Sequence, residues 1–256
     1  MTLISDPLFY ALAIPAVVAL GLSKGGFVGV GQIGTPLLAL LMPPLEAAAI
    51  LLPIMLVQDA VSVWAYRKDW SGRILAVMLP GAIVGIGAAW ALAATISDSM
   101  VRIAIGVITI LFVLYSGLGS RLFPPPGLRP PSRLRGTLWG VASGFTSTLC
   151  QAGGPPFQMH VLPQNLAKMT FVGTTAVFFA AVNWLKVGPY FALGQFSTEG
   201  LGTSLALLPL AIATNFLGFW LVRITPQALF YKITMALMLV IALELTRSGV
   251  TDMLRG

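Results

Sequence analysis

"GLSKGGFVGVGQIGTP", Gly21 to Pro36, decides how this chain is read. It holds six glycines, one lysine and one proline inside a long apolar run. Glycine and proline both weaken a helix interior. A lysine in the centre of a bilayer costs about 2.5–3.5 kcal/mol on insertion scales. A membrane segment that spends stability in this way marks a special place.

The surroundings establish the membrane. Of 256 residues, 57% are hydrophobic and 9% charged, with a mean hydropathy of +0.91. A soluble domain averages about 25% charged residues. A chain this poor in charge cannot cover a water-facing surface, so a polytopic membrane protein is expected, with lipid as its surroundings. The net charge of +7 is read as orientation signal in short loops rather than as a nucleic-acid footprint. The single cysteine, Cys150, excludes an intrachain disulfide. The opening "MTLISDPLFYALAIP" has no basic start and carries Asp6, so it reads as a retained first segment rather than a cleaved signal.

Eight apolar segments follow, at 7–42, 44–66, 73–94, 98–119, 136–162, 166–192, 199–222 and 226–246. The first and fifth are interrupted. Between the fourth and fifth lies "SRLFPPPGLRPPSRLR", Ser120 to Arg135, whose prolines and arginines make a poor helix and a good linker. It divides the chain into a first half, 1–119, and a second half, 136–256. The halves echo each other. A shift of 120 aligns Gly34 with Gly154, Pro36 with Pro156, Pro43 with Pro163, Ala47 with Ala167 and Trp64 with Trp184. A shift of 129 then aligns Pro80 with Pro209 and Ala82 with Ala211. The expected architecture is all-α, with two homologous four-segment halves, the first segment of each half broken or re-entrant. Such duplication is common in secondary transporters.

Arg67, Lys68 and Arg73, and then Arg121, Arg129, Arg133 and Arg135, place two loops on the cytoplasmic side. The termini remain open. If the broken segments cross, both termini are cytoplasmic; if they return, both lie outside and the halves are inverted.

Irregular backbone inside a membrane must line a cavity or be buried in protein. After each break a helix is expected to restart on proline: "IGTPLLALL" with Gly34, Thr35 and Pro36, and "GGPPFQMHVL" with Gly153, Gly154, Pro155 and Pro156. A helix N-terminus favours an anion, and glycines such as Gly25 and Gly26 let a ligand approach the backbone. Two such termini would converge on one anion. Lys24 would neutralise it or pair with Asp59, the one acidic residue deep in a clear membrane segment. Ser23, Gln32, Thr35, Thr146, Ser147, Thr148, Gln151 and Gln158 stand near the breaks as hydrogen-bonding candidates. Each alone reads as readily as a structural contact to its own backbone. In "FVGTTAVFFAAVNWLKVGPY", Asn183 needs a partner in the bundle, Thr174 and Thr175 are further polar positions, and Trp184 and Lys186 suit an interfacial anchor. Asp59, Asn183, Lys186 and Thr174 are taken together as supporting or coupling residues.

No metal site, cofactor or catalytic constellation is read. His160 is the only histidine, too few for a metal cluster or a nucleophile pair, and is read as structural. "GVGQIG" follows no strand and is discarded as a nucleotide loop.

The stretches "GLSKGGFVGVGQIGTPLLALLMPP", "AAAILLPIMLVQDAVSVWAYR", "GFTSTLCQAGGPPFQMHVLPQ" and "FVGTTAVFFAAVNWLKVGPY" resemble the TauE/SafE sulfite exporter family, also called the toluene sulfonate uptake permease family, over roughly residues 10–245. The resemblance implies a multi-pass transporter of the bacterial inner membrane. Its cargo would be a small sulfur-containing anion: sulfite, thiosulfate, sulfoacetate or another organosulfonate. The family's motif regions fall on Lys24, Gly25, Gly26, Gly34, Pro36, Gly153, Gly154, Pro155 and Pro156. The resemblance also implies a histidine two residues before the paired glycines, where this chain has Gln151. Proton coupling here therefore uses another group or is absent. Direction of transport, a proton or counter-ion partner and a homodimer all stay open. The competing readings are a passive anion channel, a membrane subunit that transports nothing, and an intramembrane enzyme, for which the catalytic residues are lacking.

Overall fold

The computed structural model describes residues 3–27, 30–38, 41–93, 95, 97, 99, 100, 103, 104, 106, 107, 110, 111, 113, 114 and 132–255. Much of the expected segment 98–119 and the linker at 120–131 lie outside the described residues, as does the side chain of Gln32. Among the described residues the structure is all helical. Among the described residues, five helices are long and apolar enough to cross a membrane: Pro7–Gly25, Leu45–Ala65, Gly72–Leu92, Lys168–Ala192 and Thr198–Ile224.

The first helix, α1 (Pro7–Gly25), starts where its sequence asks it to. Asp6 accepts a hydrogen bond from the Leu8 amide at 2.8 Å, and Pro7 occupies the first helical turn. It stops at Gly26, which takes φ +133°, a conformation open to glycine. A 3₁₀ turn (Val30–Ile33) then leads into the five-residue α2 (Gly34–Leu38). The chain has reversed. Gly31 lies against Ser23, and Gly34 against Leu20 and Ala16, so the restarted piece runs back along α1.

The second break has the same form. Helix α5 (Arg133–Cys150) ends at Gln151, which takes a left-handed φ of 58°. The eight-residue α6 (Gly154–Val161) follows. Gly153 lies against Ser143 and Ser147, and His160 against Gly136, so this arm also doubles back. The sequence places the first restart at Gly34, and α2 begins there, after a 3₁₀ turn at Val30–Ile33 that the glycine-rich stretch forms before Pro36 is reached.

Between the hairpins stand α3 (Pro44–Ala65) and α4 (Gly72–Leu92). After the second come α7 (Lys168–Ala192), α8 (Thr198–Ile224) and α9 (Gln227–Arg255). Helix α3 packs on both α7 and α8. Two close seams join the sequence halves: α1 against α8, and α4 against α5. Small residues make both. A Cβ on Gly25 would sit 2.4 Å from the Cα of Gly218. Along α4 and α5, Gly81, Gly85, Gly140 and Gly144 each face a carbonyl oxygen that a Cβ would meet at 2.1–2.2 Å. This is the small-residue packing by which membrane helices gain contact without help from water.

The outer surface carries Ile83, Val84, Leu205, Phe216 and Trp220, all more than half or nearly half exposed. Such a surface suits hydrocarbon rather than water. The interior is filled by Phe157, Phe171, Phe178 and Val182 on one side and by Phe9, Val17, Leu51 and Ile54 on the other.

The seam makes a sharp prediction. Gly85→Ala drives a methyl group into the Val141 carbonyl and should cost about 1–3 kcal/mol, as overpacking does. Gly87→Ala, with open space around it, should change little. Thermal unfolding of the two variants in detergent tests this.

Candidate functional site

The two hairpins bring their broken ends to one hollow. A cavity of about 70 Å³ is lined by Leu20, Ser23, Lys24 and Gly31 from the first, by Ser147, Gln151 and Gly154 from the second, and by Met55, Val172, Thr175, Ala176 and Phe179 from α3 and α7. At roughly 10–15 Å³ per water, it has room for a few heavy atoms. The lining mixes polar and apolar side chains.

Lys24 ends α1 and reaches Asp59 on α3, forming an ion pair. Its ammonium also lies 5.9 Å from the centre of the Phe179 ring, within cation–π range. Asp59 is fully buried, and its second oxygen accepts from Asn183 Nδ2 of α7 at 2.6 Å. Burial removes both charges from water, so the pair holds only because each carboxylate oxygen has a donor. Asn183 Oδ1 is left without a hydrogen-bond partner.

A second polar group faces the other hairpin. Lys186 lies on α7 one turn after Asn183, and the two share a helix face. Its ammonium donates to Ser147 O at 3.2 Å, to Ser147 Oγ at 3.1 Å and to Gln151 Oε1. Lys186 is 0% exposed while Trp184 is 64% exposed. The interfacial-anchor reading therefore fails for Lys186 and suits Trp184: the neighbours face opposite ways, and only the tryptophan points outward. The two groups occupy matching places. Lys24 and Asp59 are 35 residues apart, as are Gln151 and Lys186. Tyr66 donates to Gly25 O at 2.5 Å, and Tyr190 to Thr148 O at 2.6 Å, each closing a carbonyl near the end of a broken helix.

Other expected site residues lie elsewhere. Gly25 packs against Gly218, Gly26 against Val222 and Gly34 against Leu20, so these glycines serve helix packing and chain reversal; none is among the cavity-lining residues. Thr174 accepts from the Ser71 amide at 2.9 Å and donates to Thr170 O at 2.6 Å, tying α7 to the start of α4. Gly153 lends its carbonyl to Ser143 Oγ at 2.7 Å. Pro155 is buried in the first turn of α6. Thr35 and Gln158 are buried with side-chain polar atoms that have no hydrogen-bond partner. His160 is buried, and its Nε2 is likewise unpartnered.

The helix starts are also poorer in donors than their sequence promises. Pro155 and Pro156 carry no N–H, which leaves the first turn of α6 with the Gly154 amide. Helix α2 has five residues, too few aligned peptides for much of a dipole. The polar groups offered to the hollow are therefore mostly those of side chains. Five of those lining the cavity were not singled out by the sequence: Leu20, Met55, Val172, Ala176 and Phe179. Helical periodicity on α7 puts Val172, Thr175, Ala176 and Phe179 on one face, at spacings of three and four. That face becomes recognisable once its partner is known.

Removing one member of a buried ion pair strands the other, at about 3–5 kcal/mol. Lys24→Met and Asp59→Leu should each destabilise the protein strongly, and the double variant by less than the sum. Additive losses in a thermal-unfolding cycle would show that the two residues do not depend on each other.

The family model for the sulfite exporter TauE/SafE matches residues 12–245, nearly the whole chain. No curated protein and no solved structure matches at a comparable level. The long apolar helices, the paired broken segments and this match agree, and the chain belongs to the TauE/SafE sulfite exporter family of membrane transporters.

Proposed function

We propose that this protein is a secondary transporter of a small sulfur-containing anion, sulfite or an organosulfonate, and that the cavity between the hairpins is its binding site. The observation that carries this reading is the lining itself: one hollow receives residues from both breaks, with Ser23, Lys24, Ser147, Gln151, Gly154 and Thr175 on its wall. Family membership supplies the class of cargo. Lys24 would share its ammonium between Asp59 and the anion, and hydroxyl and amide groups would take the remaining oxygens. The apolar lining residues Leu20, Met55, Val172 and Phe179 would accept a short carbon chain.

Alternating access around this site is the mechanism we favour. The chain order supports an inverted repeat. Each restarted arm runs back along the helix before it; hairpins that return to the side they left would give each half three full crossings. With the basic loop after α3 inside, both termini then lie outside the bacterial inner membrane. In a Cys150→Ser background, Ser5→Cys and Asp252→Cys should both react with a membrane-impermeant maleimide added to spheroplasts. Labelling that requires permeabilisation would reverse this topology.

The transport reading is tested in proteoliposomes. Sulfite or sulfoacetate flux should saturate with concentration, and Ala176→Phe, which fills the cavity from α7, should abolish it in protein that still unfolds cooperatively. Flux that rises linearly without saturating would identify a channel. An Ala176→Phe variant with normal flux would remove the cavity from the pathway.

A further inference from the structure

The two arms that follow the breaks share a feature that the cavity itself does not use. Gly31 of the first arm and Gly154 of the second both line the hollow. Four residues further on, about one helical turn, stand Thr35 and Gln158. Thr35 is 2% exposed and Gln158 is fully buried, and neither is among the cavity-lining residues. The Thr35 hydroxyl and both amide atoms of Gln158 have no hydrogen-bond partner among the described residues. Buried polar groups are rarely left so, because each has given up water without gaining a bond. Threonine in a membrane helix usually donates to a carbonyl one turn earlier. Thr148, Thr175, Thr214 and Thr225 do so here, and Thr35 does not. Gln58, equally buried, still donates through Nε2 to Ala211 O.

Thr35 and Gln158 lie toward opposite faces of the membrane. Helix α1 ends beside the end of α3, where Tyr66 donates to Gly25 O. The short turn at 66–71 then sends α4 back. Helix α5 runs parallel to α4, with Gly81 against Thr137 and Gly85 against Val141. So α1 and α5 enter from opposite sides, and each arm doubles back toward its own entry. Gly34 lies against Ala16 of α1, and His160 against Gly136 of α5. Thr35 therefore stands between the cavity and the side where α1 begins, and Gln158 between the cavity and the side where α5 begins.

We propose that Thr35 and Gln158 are the first polar steps of two half-paths by which an oxyanion leaves the cavity, one on each side of the membrane. The inference rests on the anion-site reading above and adds the route. Gln158 offers two N–H donors and Thr35 one O–H, which meet the anion's oxygens and water when their own arm shifts. In the arrangement seen here both are shut in and gain nothing. The closed form is thereby destabilised at two points, and each arm is set to open. Repeat-related elements that open one side at a time are what alternating access requires. An apolar side chain of similar shape would remove the unpaired atoms, leave the closed form as stable or more so, and hold the arm shut.

Thr35→Val and Gln158→Met test this in the full-length protein. Each should unfold at the same temperature as the unmodified protein or higher, and bind sulfoacetate in detergent within about twofold. Each should slow sulfoacetate flux in proteoliposomes at least tenfold. Thr35→Cys and Gln158→Cys, in a Cys150→Ser background, give a second measurement. A sulfonate-bearing methanethiosulfonate reagent is added to spheroplasts and to inside-out vesicles. The two cysteines should react at least tenfold faster from opposite sides, Gln158→Cys from the side of the basic loops. Unchanged flux in both apolar variants, or two cysteines that react faster from the same side or not at all, overturns the proposal and leaves the anion site standing. Variants that lose binding along with flux also overturn it, since the residues would then belong to the site. Unmodified protein that neither binds nor moves sulfite or sulfoacetate removes the anion-site reading and this route with it. If an apolar variant does not fold, the sidedness of labelling decides.

Discussion

Backbone that leaves the helix inside hydrocarbon must find its hydrogen bonds within the protein, because lipid offers none. Much of the interior follows from meeting that demand twice. At the end of α1, Ser62 Oγ donates to Lys24 O at 2.9 Å and Tyr66 to Gly25 O. At the end of α5, Lys186 donates to Ser147 O, Tyr190 to Thr148 O and, across the break, Ser143 to Gly153 O. The donors at the first break come from α3, and two of the three at the second come from α7. These two helices are therefore more than membrane spans: they cap the broken ones, and their polar faces are fixed by that duty.

The same requirement explains why the site is polar at so few points. Of the hydroxyls on the cavity wall, Thr175 returns its proton to Phe171 O at 2.7 Å, the usual habit of threonine in a membrane helix. Gln58, Ser62 and Asn215 are spent fastening α3 to α8, with Asn215 Nδ2 on Gln58 O at 3.0 Å and Gln58 Nε2 on Ala211 O at 3.1 Å. The polar groups that the chain reversals push forward onto the wall are Ser23, Lys24 and Gln151.

Much of this was legible in the residues. Glycine and proline punctuate an apolar chain unmistakably, so both breaks could be placed within a few positions. Asp59 could be paired with Lys24 because deep charges are scarce and a lone one is costly. The identity of the seams was not legible. Gly81 and Gly85 look like any glycines in a membrane helix until α5 is known to cross them, and Gly25 reads as a ligand contact until Gly218 fills the space beside it. Lys186 misled for a local reason: a lysine two residues after an exposed tryptophan has the look of a headgroup anchor. In a helix, two positions turn the side chain most of the way to the opposite face, and depth in the membrane does not change with that turn.

The two glycine seams have a mechanical consequence. Each welds a helix of one sequence half to a helix of the other, α1 with α8 and α4 with α5. Any unit that includes a seam is therefore drawn from both halves of the sequence, not from either half alone. The stretch at 120–135 divides the halves in the chain's order alone; in the packing the division falls between the welded pairs, at α3 and α7, which carry Asp59 and Lys186.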